Sequence, residues 1–268
     1  MPEGPECKRI GEELARCVSS KNLVSIEFLS GRYTKKLPSG FDKFKESLPI
    51  PVVGVGVHGK FIYWILKKDF SLWNTLGMSG YWSKNLQKHS RVKFEFSDSS
   101  TVYFNDQRNF GTLKFVWGKQ PLIEKLTSLG PDMLAEDVTN EIFLKRLRKK
   151  NSHNICKVLM DQGVICGVGN YLKADSLWLA KINPHRDVKD ISDEELRNLN
   201  NCIKKVIRES YNSGGATIRT YKNFNGENGE YASKFLVYNR KIDPSGNKVI
   251  KELTPDGRQT HWSPNVQN

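Results

Sequence analysis

Phe61-Ile62-Tyr63-Trp64-Ile65-Leu66, a break at Lys67-Lys68-Asp69-Phe70, then Ser71-Leu72-Trp73-Asn74-Thr75-Leu76 is the stretch on which the fold turns. Six-residue runs rich in β-branched and aromatic side chains suit strands, and the polar break between them suits a turn. The same pattern recurs on both sides, at Val24–Leu29, Val52–Val57, Val92–Phe96, Val102–Phe104 and Leu113–Trp117. So many short strands predict a sandwich or a barrel. One helix precedes them: Cys7, Ile10, Leu14 and Cys17 recur at helical spacing within Pro5–Val18.

Near Gly130-Pro131 the period changes. Thr139–Lys150 opens on a cap-like Thr and carries Ile142, Phe143, Leu144 and Leu147 as a buried stripe. Ile155–Met160 and Tyr171–Ala180 read as further helices. Ser192-Asp193-Glu194-Glu195 is a capping box for a long helix running to about Tyr211, closed by Ser213-Gly214-Gly215. The last forty residues read as strands again, with turns at Asp243-Pro244-Ser245-Gly246 and Pro255-Asp256-Gly257. The predicted organisation is a β-rich domain over 1–131, a helical domain over 132–222, and a β appendage over 223–268.

The 268 residues carry 42 Lys+Arg against 29 Asp+Glu, a formal charge of +13. Such an excess makes a positive outer field that suits a polyphosphate partner. No run approaches the roughly 20 apolar residues of a membrane-spanning helix, and the first thirty residues hold no apolar leader core. The expectation is a soluble, intracellular monomer. Five scattered cysteines (Cys7, Cys17, Cys156, Cys166 and Cys202) with no CxxC pair argue against a disulfide framework and a thiolate zinc site.

Chemistry enters at Met1-Pro2-Glu3-Gly4-Pro5-Glu6. Removal of Met1 would expose the secondary amine of Pro2. Such an amine, with an ordinary α-amino pKa of about 8, attacks electrophilic carbon and ends as an iminium cation. Glu3 beside it is a candidate proton donor. Gly167-Val168-Gly169-Asn170 is a second candidate site, a tight turn opening a helix whose free N–H groups suit a phosphate. It is no dinucleotide or P-loop motif, since neither GxGxxG nor a following Gly-Lys-Ser/Thr is present.

In collinear order the chain resembles the formamidopyrimidine-DNA glycosylase / endonuclease VIII family. The resemblance rests on PEGPE at Pro2–Glu6, HGK at His58–Lys60, LGMSG at Leu76–Gly80, DQRNFG at Asp106–Gly111 and LGP at Leu129–Pro131. It continues through GVGNYLKADSL at Gly167–Leu177, SGGATIR at Ser213–Arg219, VYNRK at Val237–Lys241 and DGRQTHW at Asp256–Trp262. It implies an N-terminal β-sandwich, a C-terminal helix–two-turn–helix domain with a β finger, and damaged double-stranded DNA lying in the cleft. The implied activity is a bifunctional DNA glycosylase/AP lyase that needs no cofactor. Pro2 would attack C1′, Glu3 would protonate the sugar ring oxygen, and β- and δ-elimination would cut the strand.

The resemblance also assigns residues by position. Glu6 would orient the nucleophile, although a first-turn Glu also suits a helix dipole. Lys60 would contact phosphates beside the lesion and assist β-elimination, whereas His58 is read as structural. Met78, Arg108 and Phe110 would fill the gap left by an extruded nucleotide, a rotation that costs a few kcal/mol. Asn170 and His89 would bind phosphate, His89 being equally readable as an exposed surface His. Lys150 lies one position from a family contact, within the basic run Lys145–Lys150. Asp175 stands where the family usually has Glu. Arg258 would grip phosphates flanking the lesion.

Many relatives hold zinc in the finger through four cysteines. Here the matching positions are Ser245, Lys248, Ser263 and Val266, which supply no thiolate, and His261 alone cannot hold a tetrahedral ion. The finger is therefore expected to be zincless, resembling some endonuclease VIII-like enzymes, with Trp262 and Ile250 helping to hold it. The zincless finger and the full Met–Arg–Phe trio favour oxidised pyrimidines and hydantoins as substrates. The alternatives are an 8-oxoguanine/formamidopyrimidine enzyme and a noncatalytic damaged-DNA binder. At 221–231 the lesion-covering loop keeps its length but ends Gly229-Glu230-Tyr231 in place of Gly-Tyr-Phe.

Overall fold

Eight antiparallel strands form the early part of the chain in the computed structural model, which describes residues 2–217, 224 and 228–268. They are β1 Asn22–Phe28, β2 Ile50–His58, β3 Phe61–Leu66, β4 Phe70–Thr75, β5 Gly80–Ser83, β6 Ser90–Phe96, β7 Thr101–Asp106 and β8 Thr112–Trp117. The sheet order is β5-β7-β6-β1-β2-β3-β4-β8. Trp64 of β3 and Trp82 of β5 are far apart in that order, yet their ring centroids lie 5.4 Å apart. The sheet therefore folds over on itself as a sandwich. It does so at the short β1–β2 pairing, Asn22↔Pro51 and Leu23↔Ile50. Phe94 and Phe104 complete the aromatic core around Trp82, at 5.2 and 5.3 Å. Each such side chain contributes about 1.5–3 kcal/mol by leaving water.

The strand-like runs are thus strands, with ends shifted by a residue or two. β5 lies where none is predicted, since Gly80-Tyr81-Trp82-Ser83 is short and begins with Gly. Helix α1, Gly4–Val18, buries Cys7, Ile10, Leu14 and Val18. At Gly11 a Cβ would stand 2.1 Å from Val57 Cγ2, so helix and strand β2 approach closely there. Two short helices, α2 Phe41–Lys45 and α3 Lys119–Thr127, have no counterpart in the sequence reading. α2 buries two residues and α3 none, so neither leaves a periodic stripe to detect.

The later helices are α4 Asn140–Arg148, α5 Ile155–Met160, α6 Asn170–Leu179 and α7 Asp193–Asn212. Thr139 accepts from the Ile142 N–H (3.3 Å) and Asn154 from the Cys156 N–H (2.9 Å). Ser192 and Glu195 close a reciprocal capping box on α7. α5, the turns over 161–169 and α6 form the helix–two-turn–helix. Among the described residues no helix is long and apolar enough to cross a membrane.

The C-terminal region carries the expected hairpin, β9 Ile250–Leu253 with β10 Gln259–Trp262, and the expected turns, but less strand than its sequence suggests: its other described residues are turns, irregular backbone and a 3-10 segment at Tyr231–Lys234. Buried carboxylates take the place of ladder partners. Asp175 accepts from the N–H groups of Leu236 (3.1 Å), Val237 (3.0 Å) and Tyr238 (2.9 Å). Asp243 accepts from the N–H groups of Ser245 and Asn247, both at 2.9 Å, and from the Trp178 indole at 3.1 Å. Trp262 is buried, donates to Glu252 (3.1 Å) and meets His185 edge-on at 5.5 Å. Gln267 ties Ser263 N–H to the Ile182 carbonyl, each bond 2.8 Å. Ser245, Lys248, Ser263 and Val266 offer no thiolate, so a four-thiolate zinc does not fit them. Among the described residues no group of three His, Cys, Asp or Glu is placed to hold a metal.

Asp175 also predicts a pH effect. Burial raises its carboxyl from 3.8 to about 6, against the lowering effect of the three N–H groups. Between those values the folded chain keeps a proton that the unfolded chain has released. Stability therefore falls as pH rises through that window, by roughly 3 kcal/mol for the full shift. Asp175→Asn is expected to lack this contribution, so that wild type loses stability relative to the variant between about pH 4 and pH 6. Urea unfolding at several pH values checks it, and parallel curves for the two proteins would contradict it.

Contacts divide the chain into two units. In their described residues, one is built from Glu6–Ser128 and the described part of Gly214–Glu230 with Pro2; the other from Leu129–Ser213 and Tyr231–Asn268 with Glu3–Pro5. The segment after α7 thus groups with the strands.

Candidate active site

In the second unit, the Gly-rich turn before α6 does receive an anion at the helix start, and the anion belongs to the chain itself. Glu3 is 2% exposed. Its Oε1 accepts from the Tyr171 N–H (3.0 Å) and its Oε2 from the Leu172 N–H (3.3 Å). The N-cap, Gly169, has no side chain to do this, so Glu3 caps α6 from 168 residues away. The positive end of the helix dipole favours negative charge there. This corrects the expectation that those N–H groups await a phosphate.

The glycines of the motif make the approach possible. A Cβ on Gly169 would lie 2.2 Å from the Glu3 carboxyl carbon, and one on Gly4 would lie 2.9 Å from Gly167 Cα. The Gly4 N–H donates to the Gly167 carbonyl at 2.8 Å. Pro2, one residue before Glu3, is buried.

Asn170 opens α6, and its Nδ2 donates to the Gln259 carbonyl at 3.0 Å. Next to Gln259, Arg258 is exposed on the turn between β9 and β10. That turn is held from beneath by a buried ion pair, Lys173 Nζ to Asp256 Oδ2 at 2.6 Å, with side chains 0% and 3% exposed. Burial alone would push the Asp256 carboxyl up. Hydrogen bonds from Lys173 and Thr254 outweigh it and hold the group below the usual aspartate value. Arg258 and Lys150 line one cavity of about 470 Å³, together with His153 and Lys157. Lys150 is thereby brought to Arg258, and Lys157 and His153, which no motif marks, join a hollow whose lining also includes Asp161 and the paired Asp256. Lys157 is the one exposed residue of the six in α5, and the five apolar residues around it hide it in the sequence pattern.

In the first unit, Glu6 is fully buried and its Oε1 accepts from the Ala216 N–H at 2.7 Å. A Cβ on Gly215 would lie 2.9 Å from that oxygen. Glu6 therefore anchors the segment after α7, which is more than a solvated first-turn charge does. Lys60 occupies the Gly59-Lys60 turn between β2 and β3, and its carbonyl faces Cys7 Sγ at 4.0 Å, against the start of α1. His58 is a half-buried strand residue paired with Phe61.

Met78 and Phe110 are 40% and 54% exposed, as projecting tips require. The Arg108 guanidinium lies 4.9 Å from the Phe110 ring centroid. Gly77, with φ +59, has no room for a side chain: a Cβ would lie 2.7 Å from the Phe110 carbonyl carbon. That close approach joins the loop of Met78 to the loop of Arg108 and Phe110.

The organiser of this platform is Asp106, which is 1% exposed. It accepts from Ser79 Oγ (2.5 Å), the Arg108 N–H (3.1 Å) and the Gly111 N–H (2.6 Å). His89 joins it through its carbonyl, which accepts from the Asp106 N–H at 3.0 Å. The signal for Asp106 was its place at the head of Asp106-Gln107-Arg108-Asn109-Phe110-Gly111. Its role needed coordinates, because Ser79 is 27 residues away. Asp106→Ala would leave the Ser79 hydroxyl and the Gly111 N–H without this acceptor, at a cost of about 1.5–3 kcal/mol for each charge-assisted bond lost, while the Arg108 N–H keeps Ser79 Oγ at 2.9 Å. The expected signal is a lowered urea-unfolding midpoint, with Asp106→Asn milder. An unchanged signal in Asp106→Ala would contradict this role. Part of the lesion-covering loop, 221–223 and 225–227, and the end of the SGGATIR segment, 218–219, lie outside the described residues.

Known proteins bear on these sites. A family model described as the formamidopyrimidine-DNA glycosylase N-terminal domain matches residues 1–113, and one described as the formamidopyrimidine-DNA glycosylase H2TH domain matches 129–222. The formamidopyrimidine-DNA glycosylase of Shouchella clausii is 31% identical over 100% of this chain and 99% of its own length. That of Halalkalibacterium halodurans is also 31% identical, over 98% of each. A solved structure of a Lactococcus lactis Fpg variant in complex with Fapy-dG-containing DNA matches with a TM-score of 0.88 at 27% identity, covering 100% of both chains. MutM (Fpg) protein from Thermus thermophilus matches with a TM-score of 0.87 at 26% identity, covering 99% of this chain and 98% of its own.

Proposed function

The chain belongs to the formamidopyrimidine-DNA glycosylase family, and from that premise we propose that it is a bifunctional DNA glycosylase/AP lyase of base excision repair. The observation that carries the reading is the buried Glu3 carboxylate, capped by two N–H groups of α6 and placed one residue after Pro2.

With Met1 removed, the Pro2 amine is partly protonated near neutral pH. Glu3 takes that proton, leaving a neutral nucleophile. The nitrogen attacks C1′ of the damaged nucleotide, Glu3 returns the proton to the sugar ring oxygen as the C1′–O4′ bond opens, and the base departs as its bond to C1′ breaks, taking up the second proton shed by the amine nitrogen and leaving an iminium. The iminium then acidifies the C2′ hydrogen. Its removal expels the 3′ phosphate, and a second elimination expels the 5′ phosphate. Lys60 and Arg258 serve as the cations beside those phosphates, with Asn170, His89 and Lys150 as further backbone contacts. Glu6 fixes the segment after α7, and Met78, Arg108 and Phe110 occupy the space of the extruded nucleotide. Every step uses amine, carboxylate and cation chemistry supplied by the chain.

For the lesion, the zincless finger and the full trio support oxidised pyrimidines and hydantoins. The relatives' names support the second reading, formamidopyrimidines and 8-oxoguanine. Duplexes each carrying one lesion, incubated with the purified protein in one buffer, separate the two. Excision with strand cutting on at least one lesion is expected. Tight binding with every duplex left intact would instead support a damaged-DNA binder.

A further inference from the structure

The first unit carries a cavity of about 550 Å³ that none of these steps uses. Its floor is the outer face of β3, β4 and β8. Registers Phe61↔Thr75 and Trp73↔Lys114 set Phe61, Trp73 and Lys114 side by side on that face. The alternate residues Ile62, Leu72 and Phe115 point into the core. Trp73 is half-buried and meets Phe61 edge-on at 5.6 Å.

Four cations surround this aromatic floor. Lys114 Nζ is 5.2 Å from the Trp73 ring centroid, and Lys125 Nζ, reaching in from α3, is 5.7 Å from that of Phe61. Arg32 and Lys36 stand on the other wall, and among the described residues no acidic side chain lines the cavity. On the floor, the exposed hydroxyls of Thr75 and Thr112 pair at 2.7 Å, so one hydrogen and spare lone pairs remain for a ligand.

Cations gathered over aromatic rings without a counter-charge call for a ligand that is both flat and anionic. An acidic peptide would satisfy the cations and leave the rings unused. A nucleotide satisfies both: bases stack on aromatic side chains, and Lys and Arg track the phosphate. The volume falls within the usual range for small-ligand sites. We propose that this face is a second nucleotide site, taking one unstacked nucleotide with its base on Trp73 and its phosphate on Lys114, Lys125, Arg32 and Lys36. The shared chemistry has two sources, a free mononucleotide or a unit of a single strand. This site stands independently of the repair activity proposed above.

Photocrosslinking to the full chain tests it, because the labelled peptide shows where the probe sat. The probes are 5-bromodeoxyuridine monophosphate and a tetranucleotide containing one 5-bromodeoxyuridine. Wild type is expected to be labelled on the Trp73 peptide. Lys114→Gln/Lys125→Gln, which changes only surface charge, is expected to lower that labelling by about tenfold or more, since two phosphate contacts are lost. Labelling by the mononucleotide identifies a free-nucleotide site, and labelling by the tetranucleotide alone identifies a single-strand site. Three results overturn the proposal: no labelling of this face by either probe, equal labelling in the double variant, or competition by penta-aspartate as effective as that by deoxyuridine monophosphate.

Discussion

Glu3→Gln is expected to slow base excision by a factor of about 10²–10⁴, the usual contribution of a positioned acid–base group. Gln fills the same volume, so Gly169 still accommodates it. However, its amide has one acceptor oxygen, whereas the Tyr171 and Leu172 N–H groups both donate to Glu3. The NH₂ group must therefore face one of those donors, and the charge favoured by the helix start is gone. Cleavage at a preformed abasic site needs no base departure, so it should fall less than excision does. Single-turnover excision and abasic-site cleavage, measured side by side, check both statements. A purely structural role would lower the two rates together, and an unchanged excision rate would remove Glu3 from the chemistry.

Gly169→Ala should have a comparable effect without touching any reacting group. The backbone tolerates Ala, since φ at Gly169 is −128. The obstacle is the carboxyl group of Glu3, whose carbon would lie 2.2 Å and whose oxygens 2.5 Å from the new methyl. Glu3 must leave, and α6 loses its cap. Loss of the cap and of charge-assisted hydrogen bonds is expected to cost about 2–4 kcal/mol of stability in the second unit. Excision should fall about as far as in Glu3→Gln. Urea unfolding followed by an excision assay at a folding-permissive temperature measures both quantities. Full activity in a folded Gly169→Ala protein would show that the position of Glu3 does not matter.

The strands are legible as short runs of β-branched and aromatic residues, and the helices as apolar residues at helical spacing. Phe61–Leu66 and Ile155–Met160 keep their predicted bounds for that reason. α3 buries nothing and β5 is four residues long, so neither imposes a period. The turn at Asp243-Pro244-Ser245-Gly246 is legible in its residue types, whereas the conformation of Leu236–Tyr238, whose N–H groups Asp175 satisfies in place of a strand partner, is not, because a carboxylate acceptor leaves no periodic trace. The substitution of Asp for the family's Glu at 175 looked slight in sequence, yet that group gathers three N–H donors.

At the candidate site the residue types were legible and their partnerships were not. A turn rich in Gly at a helix start is visible in Gly167-Val168-Gly169-Asn170. That its anion is Glu3 requires knowing that residues 168 positions apart meet. Asp106 and Glu6 are the same kind of case, each holding backbone N–H groups that only the fold brings near. Arg258 and Lys150, 108 positions apart in the sequence, line one hollow with Lys157 and His153, which carry no sequence signal of their own.

The proposed chemistry depends most on the identity of the nucleophile, and reductive trapping reads it directly. The protein, with Met1 confirmed absent by intact mass, is incubated with abasic-site duplex and borohydride, and the crosslinked peptide is sequenced. The predicted result is a reduced deoxyribose adduct on the peptide that begins at Pro2, with the proline nitrogen carrying the added mass. An adduct on Lys60 or another lysine, or no adduct from protein that still cuts the strand, would contradict it.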